Sequence, residues 1–255
     1  LSIYGFGHLS YQKYFYGYLY SRIVNNHNAF PRYSGIPRKV RRVGFNSGET
    51  DLAGIGFQNK WAIFQIGRGR ISAGAGDDIE LALSENVSPY DYSLVQFNFG
   101  KIRLRSVNGF LETDSSSINR YISFRGIEYS NLNTFVISLS ESVIYSGRNR
   151  PLDFAYLNPM STHLEIELNN KQNKLGSDSG NGVWQLSLDW MLTPLLRFSG
   201  NLLFDEFVLD DVEKNDGNEH GYAFSAQIRY NISENELISF NSFLSIVQVG
   251  TPTFR

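Results

Sequence analysis

The chain contains no cysteine, which excludes a disulfide framework and any thiolate metal site. It also lacks long apolar runs; the longest are four residues, as at Trp61 to Phe64. A transmembrane helix needs about 20 consecutive apolar residues, so none is expected. An excess of one charge is missing too. The 23 Lys and Arg nearly balance the 25 Asp and Glu, for a net charge of −2, and such a chain carries no global basic field for nucleic acid. Aromatics are abundant instead: 15% of residues, with 15 Tyr and 19 Phe. They suit half-buried strands and interfacial girdles.

The informative pattern is alternation. Trp184, Leu186, Leu188 and Trp190 interleave with Gln185, Ser187 and Asp189, and Tyr222, Phe224, Ala226, Ile228 and Tyr230 interleave with Ser225, Gln227 and Arg229. Successive side chains of a strand point to opposite faces, so each segment has an oily side and a wet side. Such segments run to about ten residues here, longer than the roughly five to six of soluble strands. A soluble β-sandwich also alternates, but this length points to an antiparallel transmembrane β-barrel, apolar outside and polar within.

About twelve strands are expected: Leu1 to Leu9, Gln12 to Arg22, Asp51 to Gln58, Trp61 to Ile71, Tyr92 to Phe99, Ile102 to Leu111, Tyr121 to Tyr129, Phe135 to Tyr145, Val183 to Leu192, Leu195 to Val208, Gly221 to Tyr230 and Glu236 to Val249. Tight connections near Asn59, Gly100, Asn131 and Pro194 alternate with longer ones rich in Asn, Gly, Ser and Pro. His163 to Leu168 fits a strand by itself, but that would spoil the rhythm, so 146–181 reads as one excursion. The chain begins in strand-like sequence at Leu1 and stops in loop-like sequence at Thr251 to Arg255. The expectation is one barrel domain over 1–255, with sequence missing at one or both ends.

From Trp61 onward a family pattern is visible. Trp61, Gly67-Arg68, Ala73-Gly74-Ala75-Gly76 and Leu81-Ala82-Leu83-Ser84-Glu85-Asn86 with Pro89 come first; Ser140 to Arg148, Tyr156-Leu157-Asn158-Pro159, Asn201 to Phe207 with Asp210-Asp211, and Val249 with Pro252 to Arg255 follow in order. Together these resemble the Wzi-type capsule assembly family. The resemblance implies a bacterial outer-membrane barrel that retains surface polysaccharide as a lectin-like anchor, without catalysis. Ala73 stands where the family leads one to expect tryptophan. The chain is also shorter than family members, so its strands are expected to form part of a larger barrel.

Among the residues themselves, Arg32, Arg38, Lys39, Arg41 and Arg42 make a basic loop. Guanidinium groups hold carboxylates or lipopolysaccharide phosphates bidentately, though charge runs are more often solvated surface. Arg38, Arg41 and Arg42 are the candidate glycan contacts, joined by the loop aromatics Tyr33, Tyr90 and Tyr156, since rings stack on sugars. Arg103, Arg105, Arg125, Glu141, Arg197 and Arg229 lie in strand-like sequence. They are expected in the lumen, because a charge facing lipid at mid-depth costs roughly 2–4 kcal/mol. They pair to rigidify the interior or, in the rival reading, line a porin or channel.

Other candidates are weaker. Asp205, Glu206, Asp210, Asp211, Glu213, Asp216 and Glu219 form an acidic loop without EF-hand spacing. Gly67-Arg68-Gly69-Arg70 and the 73–76 repeat lack the Lys-Ser or Lys-Thr of a phosphate cradle and read as strand bends or tight packing. His8 and Ser10 fall on one face, as a base–nucleophile pair requires, but no third residue is evident. Tyr92, Tyr121, Tyr145, Trp184, Trp190 and Tyr230 fit interfacial girdles. No catalytic residue, metal or cofactor is assigned; the expected partners are surface polysaccharide, outer-membrane lipid and lipopolysaccharide.

Overall fold

The computed structural model describes residues 2–30, 33, 35, 37–39, 41–76, 80–113, 116–168, 180–204, 221–234 and 239–249. Each alternating segment forms a strand: β1 (Ser2–Tyr11), β2 (Phe15–Val24), β3 (Ser47–Gln58), β4 (Ala62–Gly69), β5 (Tyr90–Phe99), β6 (Ile102–Thr113), β7 (Ile118–Ser130), β8 (Phe135–Arg148), β9 (Gly180–Thr193), β10 (Leu196–Phe204), β11 (Tyr222–Glu234) and β12 (Ser239–Val249). They build one antiparallel sheet in sequence order. The 146–181 stretch holds two short helices, α1 (Phe154–Leu157) and α2 (His163–Leu168), rather than a strand. None of the described helices is long and apolar enough to cross a membrane.

Turn chemistry sets the ends. Asn59 Oδ1 accepts from the backbone of Trp61 at 2.9 Å and Ala62 at 2.7 Å. Asn131 Oδ1 accepts from Asn133, Thr134 and Phe135. Such side-chain mimicry of a turn is what Asn supplies. Gln12 and Lys13 both have positive φ, +51° and +62°, so the first hairpin turns there and β2 starts at Phe15 instead of Gln12. The connections 12–14, 59–61, 100–101, 131–134 and 194–195 gather at one end of the sheet, and the longer ones 25–46, 70–89, 149–179 and 205–221 leave from the other, together with the short 114–117. The strand expected to reach Val208 is described to Phe204; the remainder lies outside the described residues.

Register separates two faces. One carries Ile55, Ile66, Ile127, Leu139, Ile228 and Leu244, all exposed. The other carries Gln65, Ser140, Gln185, Ser187, Ser199, Asn201, Ser225 and Gln227. Most of this polar set is buried.

The burial has a specific cause. Residues 71–76 and 80–83 lie across the polar face. Ile71 and Leu83 enter a core with Tyr90, Tyr92, Leu94, Val107, Ile122 and Phe124 from β5, β6 and β7. A few residues on, Ala75 bonds Asn201 of β10, and a Cβ at Gly76 would lie 3.6 Å from Gln227 of β11. Residues 71–76 thus connect the polar face of β5–β7 with that of β10 and β11.

A second excursion packs on the opposite face. Tyr156 and Ile166 form a core with Tyr121, Val143 and Tyr145, residues that alternate with Ile122 and Ile144 along β7 and β8. The sheet is thus covered on both sides between β7 and β9, by different loops.

Candidate functional site

The basic loop forms a small finger at the long-loop end. Arg42 and Phe45 exchange backbone hydrogen bonds of 2.8 and 3.0 Å, and Arg38 N–H donates to Asn46 O at 2.7 Å. Between them Val43 (φ +53°) and Gly44 (φ +85°) make the reversal, the left-handed pair that two-residue hairpin turns demand. Val43 is 95% exposed at the tip. Arg38, Arg41 and Arg42 are all exposed, and among the described residues none meets a carboxylate. By contrast Arg22, Arg68, Arg70, Arg103, Arg125 and Arg197 each do. Arg32 lies outside the described residues.

Tyr33 is anchored at the base of the finger. Its hydroxyl donates to Ser47 Oγ at 2.9 Å, and the Arg22 guanidinium lies 5.7 Å from its ring centroid. Beneath it Arg22 pairs with Glu49 and Asp51, and Asp51 also meets Arg70 at 2.7 Å. The other two loop tyrosines are placed differently from the expectation. Tyr90 is 4% exposed inside the core under Ile71 and Leu83. Tyr156 is 1% exposed and stacks on Tyr145 at 4.3 Å. Both rings are used for packing and neither offers a face to a sugar.

Four of the six strand charges stand on the polar face. Arg103 pairs with Glu128. Arg105 donates to Ser72 O at 3.3 Å and covers the Phe124 ring. Arg197 chelates Asp189, Nε to Oδ1 at 2.7 Å, and Arg229 is its register partner on β11. With Ser72, Gly74 and Glu80, the residues Arg103, Arg105 and Glu128 line a polar cavity of about 200 Å³.

Arg125 and Glu141 depart from the lumen assignment. They are cross-strand partners whose neighbours Gly126 and Ser140 take the polar face, so strand alternation puts them on the apolar face. There they are buried under the α1–α2 excursion. Arg125 Nε lies 3.3 Å from Glu141 Oε2, Arg125 donates to Asn158 O, and Glu141 Oε1 accepts from His163 N at 2.9 Å. The α1–α2 excursion surrounds them on that face.

A tyrosine–amide cluster escaped the sequence reading. Tyr16 Oη donates to Gln65 Oε1 at 2.6 Å, and Gln65 Nε2 donates to Tyr18 Oη at 2.9 Å and Tyr92 Oη at 2.6 Å. The tyrosine stripe of β2 therefore serves the polar face. Its rings lean across Gly56 and Gly54, where a Cβ would come within 2.6 and 2.8 Å of them. The pairing of a tyrosine stripe with glycines at the same period was the available signal.

Gly74 and Gly76 pack against Gln185, Asn201 and Ser199 and Gly69 under Leu52 and Tyr92, which is close approach rather than a phosphate cradle. His8 and Ser10 share the polar face of β1, exposed and without a mutual hydrogen bond. Of the girdle candidates, Trp190 and Tyr230 are exposed on the apolar face near the tight turns, whereas Tyr92, Tyr121 and Tyr145 are buried. The acidic loop from Asp205 to Glu219 lies outside the described residues. No family model matches the chain, and no curated protein matches it.

Proposed function

We propose that the chain forms wall of a bacterial outer-membrane β-barrel whose rim loops retain surface polysaccharide, a lectin-like anchor of the Wzi type. All its strands but β4, which has 8 residues, run 9 to 14 residues, enough for the roughly 9–11 tilted residues of a membrane crossing. The apolar face meets lipid and the polar face encloses the interior. Tight turns then face the periplasm and the long loops face outward, the usual asymmetry of such barrels.

The single observation that carries the polysaccharide reading is the finger: Arg38, Arg41 and Arg42, exposed and unmatched by carboxylate among the described residues, on a backbone braced by its own hydrogen bonds. Such guanidinium groups take carboxylates or phosphates of an anionic glycan. Affinity is spread over many shallow contacts. The segment over the polar face favours a filled interior above the rival porin, for which Arg103, Arg105, Arg197 and Arg229 would supply a charged passage. The test compares polysaccharide retention by the parent and by Arg38→Ala/Arg41→Ala/Arg42→Ala; equal retention removes the finger as the binding element.

A further inference from the structure

The apolar face of the sheet holds a polar island. Ser106, Ser123, Arg125 and Glu141 sit side by side on β6, β7 and β8, on the same face as Ile127 and Leu139 one rung below. Counted from Phe135 at the tight-turn end of β8, a crossing of about 9–11 residues extends past Glu141. Left bare, this island would face hydrocarbon. Residues 150–166 cover it: Ser123 Oγ donates to Tyr156 O at 2.8 Å and Arg125 to Asn158 O at 3.2 Å. The covering segment in turn presents Leu152, Phe154 and Met160 outward, Phe154 79% and Met160 75% exposed. Its outer surface is largely apolar, with Asn158 and Glu165 as its exposed polar side chains among the described residues.

Under the lower edge of this cover lies an apolar pocket of about 350 Å³, walled by Leu104, Ile127, Leu139 and Trp184 and roofed by Pro159 and Met160. It opens onto the exposed apolar face, and its volume is at the low end of the roughly 300–1,000 Å³ of ligand pockets. The Arg125–Glu141 pair closes its inner end. Those two opposite charges face each other at 3.3 Å, so the pocket offers hydrocarbon contact and no uncompensated charge for a headgroup. We infer that residues 150–166 form a lipid-contacting saddle on the outside of the wall, and that the pocket beneath it takes one acyl chain of a membrane lipid. This rests on the apolar face meeting the membrane; it adds a specific site on that face.

Tryptophan quenching tests it in phosphatidylcholine vesicles whose acyl chains carry bromine, using the full chain. The variant Trp61→Phe/Trp190→Phe leaves Trp184 in the pocket wall, and Trp61→Phe/Trp184→Phe leaves Trp190 on the open apolar face. Both are expected to be quenched relative to unbrominated vesicles. Filling the pocket with Val95→Phe/Leu139→Phe is expected to abolish the quenching of Trp184 and spare that of Trp190, which also reports that the variant remains folded and inserted. Quenching of Trp190 with none of Trp184, or quenching of Trp184 that the filled variant retains, overturns the acyl-chain site while leaving the membrane reading intact. If neither tryptophan is quenched, the apolar face does not meet lipid and both readings fall.

Discussion

Asn201 and Ala75, far apart in the chain, exchange a reciprocal pair of hydrogen bonds. The Ala75 N–H donates to Asn201 Oδ1 at 2.7 Å, and Asn201 Nδ2 donates back to Ala75 O at 2.7 Å. The amide mimics a backbone pairing partner and clips residues 71–76 to the polar face, with a further bond to Ser225 Oγ. Asn201→Ala leaves two backbone groups of a buried segment without partners, a loss of about 1–3 kcal/mol. Denaturant unfolding of the purified protein measures it; an unchanged midpoint would show that the clip carries no stability.

The same segment predicts a closed passage. In planar bilayers the parent is expected to show little steady conductance, and excision of residues 72–83 to raise it. Large ohmic steps in the parent itself would favour the porin over the anchor.

Arg125 and Glu141, side chains 8% and 1% exposed, should behave as a buried pair. Arg125→Ala is expected to cost about 3–5 kcal/mol, because it strands a buried carboxylate. Arg125→Met/Glu141→Leu removes both charges and is expected to cost less than the single change, the residual loss of about 1–3 kcal/mol coming from the His163 N–H left without Glu141. A single substitution that costs nothing would mean that the α1–α2 cover does not exclude water from the pair.

Gly56 is held to glycine by Tyr16, since a Cβ there would lie 2.6 Å from the Tyr16 hydroxyl and 2.8 Å from Phe64 O. Gly56→Ala is expected to destabilise by about 1–3 kcal/mol through overpacking. Adding Tyr16→Ala should recover part of the loss by clearing the ring. No recovery would place the strain in the backbone contact alone.

Finger binding should be electrostatic. Retention of an anionic polysaccharide is expected to weaken as salt rises through 0.1 M, where the Debye length falls to about 10 Å. The Arg38→Ala/Arg41→Ala/Arg42→Ala protein should lose that salt dependence. A salt-insensitive parent would point to stacking or hydrogen bonding instead.

Twelve strands, their order of tight and long connections and their two-faced character were all legible in the chain. A period of two and the turn preferences of Asn and Gly are local properties, written residue by residue. The alternation likewise put Arg103, Arg105, Arg197 and Arg229 opposite the oily side. What lies over each face was not legible, because a loop's docking place depends on contacts with distant strands. Tyr90 and Tyr156 look like exposed loop aromatics until Ile71, Leu83 and Tyr145 close on them. Arg125 and Glu141 look like polar-face charges until register puts them on the apolar face and residues 150–166 fold over them. Local periodicity decides which way a side chain points; only the packing of remote segments decides whether water, hydrocarbon or protein meets it there.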